Sequence, residues 1–258
     1  MRRERLRSPR RTARSPQPPF RPITTADPMA SLAHSGHVND PHDPHVGHHY
    51  TSTGLDNRKI AIWAFIGSEC MLFASLISTY MIYKGRSIRG PFPHEAWTNP
   101  QTNESFIAIL NIPVTSASTF VLLMSSLAMV LAHNAVVNKP VPKRTFWERL
   151  GGNSKLWLAA TAILGMIFLG FQAYEFTSFV HEGLSIRTNL FGSSFYTLTG
   201  FHGAHVTAGV LWLWSLFAID VKRGLGPDDA LNVDLSALYW HFVDVVWIVI
   251  FALVYLIE

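Results

Sequence analysis

Charge is what this 258-residue chain has least of. Asp, Glu, Lys and Arg make up only 15% of it, against roughly a quarter in an average soluble domain. These few charges are clustered, leaving long stretches with almost none, while apolar residues reach 48% and mean hydropathy is positive. That distribution excludes an ordinary soluble domain and indicates a membrane protein. Cysteine is nearly absent. Cys70 alone excludes an intrachain disulfide and argues against a thiolate metal site. No apolar run shows the strict alternation of a barrel strand. The net charge of +4 comes largely from an arginine-rich start and is no nucleic-acid signature.

What is present is five apolar runs, over residues 60–83, 106–133, 156–180, 190–219 and 235–257. Each is near the ~20 residues that cross a hydrocarbon core. Lipid offers the backbone no hydrogen-bond partners, so the runs are read as helices. Aromatics frame their ends (Trp63, Tyr80, Tyr83, Trp157, Phe191, Phe195, Tyr239, Trp240, Tyr255), as interfacial belts require. The expected fold is therefore an all-α integral membrane protein, a five-helix bundle over residues 58–258. Residues 1–57, rich in Arg, Pro, Ser and His, are expected to be a disordered cytoplasmic tail. Residues 1–22 resemble an organelle transit peptide, and Met29 is an alternative start.

Loop charge sets the expected orientation. Arg58 and Lys59 close the first segment; Lys139, Lys143, Arg144, Arg149 and Lys155 lie between runs two and three; Lys222 and Arg223 lie between four and five. The alternate connections carry Lys84, Arg86 and Arg89, and then only Arg187. The positive-inside rule puts the N-terminus in the cytoplasm and Glu258 outside. Pro113 suits an early helical position or a kink in the second run.

Ionisable groups at membrane depth need a reason. Glu69 has Phe65, Ile66, Leu72 and Phe73 as its helical neighbours, so its carboxyl is expected to be uncharged unless a cation or donor on another helix compensates. It reads either as a structural hydrogen-bonding group or as a proton-exchanging element. In the fourth run, Gly200, Ala204 and Ala208 form a small-residue stripe suited to close helix packing. His202 and His205 lie on another stripe, one turn apart. Such a pair can bind metal, but no further ligands flank it, so no metal site is assigned. His241 and Asp244, one turn apart on the fifth run, suit a local ion pair or a handle for a partner. Glu175 lies toward the outer end of the third run. At 1.5 Å per residue, Glu69 is roughly 14 Å, His205 about 18 Å and Asp244 about 12–14 Å from the inner ends of their runs. The three are expected to share a layer, with Glu69 meeting His205 directly or through a water. The six histidines from His34 to His49 read as a solvated tail or a weak metal tract.

Four segments carry a resemblance. They are Ile62-Trp63-Ala64-Phe65-Ile66-Gly67-Ser68-Glu69-Cys70-Met71-Leu72-Phe73; Phe171-Gln172-Ala173-Tyr174-Glu175-Phe176; Ser193-Ser194-Phe195-Tyr196 running on to Thr199-Gly200-Phe201-His202-Gly203-Ala204-His205-Val206; and Tyr239-Trp240-His241-Phe242-Val243-Asp244-Val245-Val246-Trp247. In this order, over residues 58–258, they resemble the cytochrome c oxidase subunit III family of haem–copper oxidases, in its five-helix bacterial form. The seven-helix form has two further helices that help build a lipid-holding cleft. Here a polar tail stands in their place, which argues against a mitochondrial protein.

The resemblance implies a respiratory-chain subunit in the bacterial cell membrane that stabilises the catalytic subunit and supports proton uptake during oxygen reduction. An aa3/caa3-type cytochrome c oxidase is expected. Haem and copper are expected in subunits I and II, the partners, with none bound by this chain, and bound phospholipid is expected. Glu69 matches the family's membrane-embedded glutamate, and His202, His205 and Glu175 match recurrent polar positions; none is assigned as catalytic. The alternatives are a quinol oxidase subunit III, an accessory subunit of nitric oxide reductase, a small proton or metal transporter, and a purely structural bundle.

Overall fold

The computed structural model describes residues 56–87, 90–91, 93–99, 102–106, 110–138 and 152–257, all within the compact unit His49–Glu258. The histidine-rich tail, Met29, Arg89 and the basic residues from Lys139 to Arg149 lie outside the described residues. Five long helices form the unit: α1 (Asn57–Tyr83), α2 (Ile112–Val137), α3 (Ser154–His181), α4 (Leu190–Arg223) and α5 (Ala230–Phe251). A 3₁₀ turn at Pro227–Asp229 leads into α5, and a π-helical turn at Ala252–Leu256 ends it. All five are long and apolar enough to cross a bilayer. α4, at 34 residues, is about 51 Å long, well beyond a ~30 Å hydrocarbon core.

Short polar side chains start the helices. Asp56 Oδ1 accepts from Arg58 N at 2.8 Å to open α1, and Asn189 Oδ1 accepts from Gly192 N at 2.7 Å to open α4. Asn111 does the same for α2, accepting from Val114 N at 3.3 Å. This corrects the second run, expected to be helical from Phe106. Phe106 instead belongs to a two-residue strand, Ser105–Phe106 (β2), paired antiparallel with Trp97–Thr98 (β1). Hydropathy alone carries the run back to Phe106; the Asn111 cap and Pro113, which lacks an N–H, fix where the helix can begin. The hairpin is also a small departure from an all-α chain.

The bundle is organised around α5, which packs on α1, α2 and α4, while α3 lies against α2 and α4. Trp240 and Trp247 are almost fully buried, and each indole finds a hydroxyl on α2: Trp240 Nε1 donates to Ser125 Oγ at 3.0 Å and Trp247 Nε1 to Thr119 Oγ1 at 2.9 Å. Room for Trp240 comes from two glycines. A Cβ at Gly165 would come within 2.6 Å of the Trp240 ring, and one at Gly209 within 2.9 Å. The buried hydroxyls of α2 and α4 otherwise bond back to carbonyls three or four residues earlier, as Thr119 and Thr199 do. Outward faces of α2 and α3 carry large apolar side chains such as Phe120, Leu127 and Ile167, suited to lipid tails.

The small-residue stripe behaves differently from expectation. Ala204 and Ala208 are exposed, and a Cβ on Gly200 would meet nothing within 4 Å. The stripe faces away from this chain's own helices, because the buried side of α4 is the one carrying His202, Val206 and Gly209. Close approach inside the bundle falls instead to Gly165, Gly203 and Gly209.

Candidate functional site

Three polar clusters are embedded between the helices. The first joins α1 to α4. Glu69 Oε2 and His205 Nε2 lie 3.0 Å apart, each side chain 16% exposed. His205 Nδ1 is 2.7 Å from the carbonyl oxygen of Phe201. A carbonyl only accepts, so Nδ1 carries a proton, and a neutral ring then leaves Nε2 as an acceptor. The short contact to Glu69 therefore needs one further proton, held on Nε2 or on Oε2. Imidazolium with carboxylate and imidazole with carboxylic acid contain the same number of protons. The proton can change sides with the pair's net charge unaltered. Phe73 packs edge-on to the ring at 5.0 Å, and Tyr239 OH donates to the His205 backbone carbonyl at 3.0 Å, tying α5 to the same place.

His202, one turn away, goes elsewhere. It is fully buried, stacks on Trp247 at 4.9 Å, and meets Phe73 and Phe168 edge-on, with neither ring nitrogen hydrogen-bonded. The two histidines thus face different surroundings and do not converge. Among the described residues, no three His, Cys, Asp or Glu side chains gather as metal ligands would.

The second cluster lies between α5 and α2. His241 Nδ1 is 2.6 Å from Ser126 Oγ, and the same hydroxyl approaches the Asp244 carboxyl. Asp244 is 3% exposed, and neither of its oxygens completes a hydrogen bond of good geometry. This corrects the local ion pair expected on this helix: His241 turns to Ser126 rather than to Asp244, and Asp244 faces the same hydroxyl of α2.

The third cluster sits toward the other end of the helices. Glu175 is buried, accepts a short hydrogen bond from Thr115 Oγ1, and is bonded to the Tyr255 side chain of the π-helical turn. Tyr80 of α1 completes the group, its hydroxyl buried without a hydrogen bond. Glu175 also lines a cavity of about 520 Å³ together with Tyr174, Ser178 and Glu182. Burial raises the Glu182 pKa, an effect partly opposed by the Ser178 hydroxyl, which donates at 3.2 Å. Gln172, in the same motif as Glu175, donates through Nε2 to the Thr199 carbonyl at 2.8 Å and packs on Gly203. Its role is to lock α3 to α4.

Sequence reading missed several partners: Thr115, Ser126, Tyr239 and Tyr255, and at the opposite ends of the helices Asp220 and Asp234. Asp220 accepts from Ser154 Oγ at 2.6 Å and from Leu225 N at 2.8 Å. Asp234 pairs with Lys59 at 2.8 Å, with His133 Nε2 at 3.9 Å. A usable signal existed for α2 alone, whose Thr115, Ser118, Thr119, Ser125 and Ser126 recur on a helical face.

Five apolar spans enclosing carboxyl–hydroxyl and carboxyl–imidazole clusters define a multi-pass membrane protein. The comparisons give its family. Residues 42–258 match the family model of cytochrome c oxidase subunit III, and the chain belongs to that family. Over 200 residues it is 39% identical to cytochrome c oxidase subunit 3 of Bacillus sp. (strain PS3), covering 78% of this chain and 86% of that one. It is 37% identical to the protein of the same name in Bacillus subtilis (strain 168), covering 78% and 86%. The quinol oxidase subunit 3 of Bacillus subtilis (strain 168) is 34% identical, covering 76% and 85%. The chain is thus a subunit III of a haem–copper oxidase, working in a complex with other oxidase subunits.

Proposed function

We propose that this chain is subunit III of an aa3/caa3-type cytochrome c oxidase in a bacterial cell membrane, with its N-terminus in the cytoplasm and its C-terminus outside. It carries no redox centre; haem and copper belong to subunits I and II. Its work is to stabilise the catalytic subunit and to support proton uptake during oxygen reduction. The observation that carries this reading is the family match along residues 42–258, and the Glu69–His205 pair supplies the chemistry. It holds a shareable proton at membrane depth without a net charge. Identities of 39% and 37% to proteins named for cytochrome c support that donor. The relatives named for quinol, at 34%, make quinol the second reading.

The test is to tag the C-terminus, purify the complex from native membranes in mild detergent, and record the reduced-minus-oxidised haem spectrum with a copper assay. Co-purifying haem and copper with oxygen consumption from reduced cytochrome c is the expected result. Consumption from quinol alone would replace the donor. A pure chain without haem or copper would overturn the reading. In the purified oxidase, Glu69→Gln should leave the initial rate near the wild type and shorten the number of turnovers completed before inactivation. An unchanged number would reduce Glu69 to a packing role.

A further inference from the structure

α5 packs on α1 and on α2, which make no extensive contact with each other. The stripe of α5 between them therefore faces outward. Leu238, His241, Val245 and Val249 follow one another along it, and none of the four is buried. His241 is the polar member. Its Nδ1 is engaged by Ser126 Oγ at 2.6 Å, whereas its Nε2 is accessible and has no hydrogen-bond partner among the described residues. The exposed hydroxyls of α1 and α4 are different. Ser68, Ser75, Thr79, Thr207 and Ser215 each donate to a carbonyl of their own helix and need nothing from a neighbour.

Proton counting gives Nε2 its character. The Ser126 hydroxyl stands between the His241 ring and the Asp244 carboxyl, and a net charge at membrane depth is costly. The hydroxyl bridges the two without net charge in two ways. Either it donates to an Asp244 carboxylate and accepts from an imidazolium, or it accepts from an Asp244 carboxylic acid and donates to Nδ1 of a neutral ring. In both, Nε2 carries a proton and is a donor pointing out of the bundle. His241 stands about 17 Å along α5 from Ala230, in the middle of a ~30 Å hydrocarbon core. Acyl chains offer no acceptor there, and the phosphates and esters of lipids lie at the interfaces. A second copy related by a two-fold axis through this stripe would set donor against donor. A helix of another protein carrying an acceptor at this depth meets both the bond and the apolar flanks of Val245 and Val249. We infer that the outward stripe of α5 around His241 docks a membrane-spanning helix of another subunit of the complex, which accepts a hydrogen bond from His241 Nε2 through a carboxyl, hydroxyl or amide oxygen. This rests on the oxidase-subunit reading, which haem co-purification tests separately.

The experiment uses the whole oxidase in native membranes. The photoreactive residue p-benzoylphenylalanine replaces the exposed Val245, one turn from His241, and leaves the polar residues untouched. After illumination and purification, its adducts are identified by mass spectrometry. The expected adduct is a peptide from a membrane-spanning segment of another subunit that co-purifies with haem. Adducts with lipid alone, or with a second copy of this chain, overturn the proposal. The hydrogen bond is read separately, as the amount of this chain kept per haem through a stringent detergent wash. His241→Leu should keep about fivefold less than the wild type. His241→Gln, whose amide N–H reaches to a similar distance, should restore most of the retention. Unchanged retention in the Leu variant overturns the proposal, and so does a Gln variant lost as readily as the Leu one, since packing alone would then account for the loss. Should the Leu variant fail to fold, the adduct at position 245 decides. Haem missing from the wild-type preparation would overturn the subunit reading and this one with it. Haem present with a lipid-only adduct would leave the subunit reading standing and this one refuted.

Discussion

At the scale of single residues, the Glu69–His205 contact is held by complementary proton counts rather than by charge alone. Its two members are fixed separately, His205 by the Phe201 carbonyl and Glu69 by its place on α1. Removing the carboxyl leaves a largely buried ring nitrogen without a partner. Glu69→Ala should therefore lose about 1–3 kcal/mol of stability, read from the thermal unfolding of the purified complex. Thr115→Val should lose a similar ~1–3 kcal/mol, since it strips a hydroxyl from the buried Glu175 carboxyl; equal melting of variant and wild type would show that Tyr255 suffices. Outside the membrane spans, Glu182 gives a pH effect of determined sign. Its pKa is raised in the folded chain by burial, so its favourable contribution is complete at acid pH and is lost as pH rises through the elevated value. Glu182→Gln should flatten the decline in melting temperature from acid toward neutral pH.

At the scale of elements, glycine placement separates packed from unpacked helix faces. Gly209 lies against the Trp240 and Tyr239 rings, with a hypothetical Cβ at 2.9 Å from the former, whereas Gly200 has nothing within 4 Å. Gly209→Ala should destabilise the bundle by about 1–3 kcal/mol through overpacking. Gly200→Ala should be neutral or slightly stabilising, by up to ~1 kcal/mol through helix propensity. Denaturation of the two variants side by side checks the contrast, and equal losses would put the packed face of α4 in the wrong place. Helix identities were legible in the sequence because twenty-odd apolar residues have one solution in lipid. The start of α2 was not, since hydropathy is blind to the Asn111 cap and to Pro113.

For the molecule as a whole, five spans place the two ends of the described bundle on opposite faces of the membrane. Together with the arginines and lysines that flank α1 and the α4–α5 turn, this predicts an external C-terminus. A reporter active only outside the cytoplasm, fused after Glu258, should be active, and the same fusion silent would invert the orientation. The outward faces divide by chemistry: Phe120, Leu127 and Ile167 on α2 and α3 suit lipid, while Ala204 and Ala208 on α4 leave a shallow surface. The bundle is linked on the α4–α5 side by Lys59–Asp234 and Ser154–Asp220, and on the hairpin side by the Glu175, Thr115 and Tyr255 group.

The sequence by itself determined the membrane class, the number and order of spans, the family and the suspect residues, because each rests on composition, run length or local motif. It also brought Glu69 and His205 to comparable depth, since rise per residue is fixed in any helix. Only the tertiary structure decided which suspects meet. Depth is one coordinate of a helical residue, and rotation about the axis is the other. Rotation depends on how the Trp240 ring seats against Gly165 and Gly209, a match between distant segments that no local pattern encodes. Through that seating Asp244 faces Ser126, His202 enters an aromatic cage, and the small face of α4 is left turned outward.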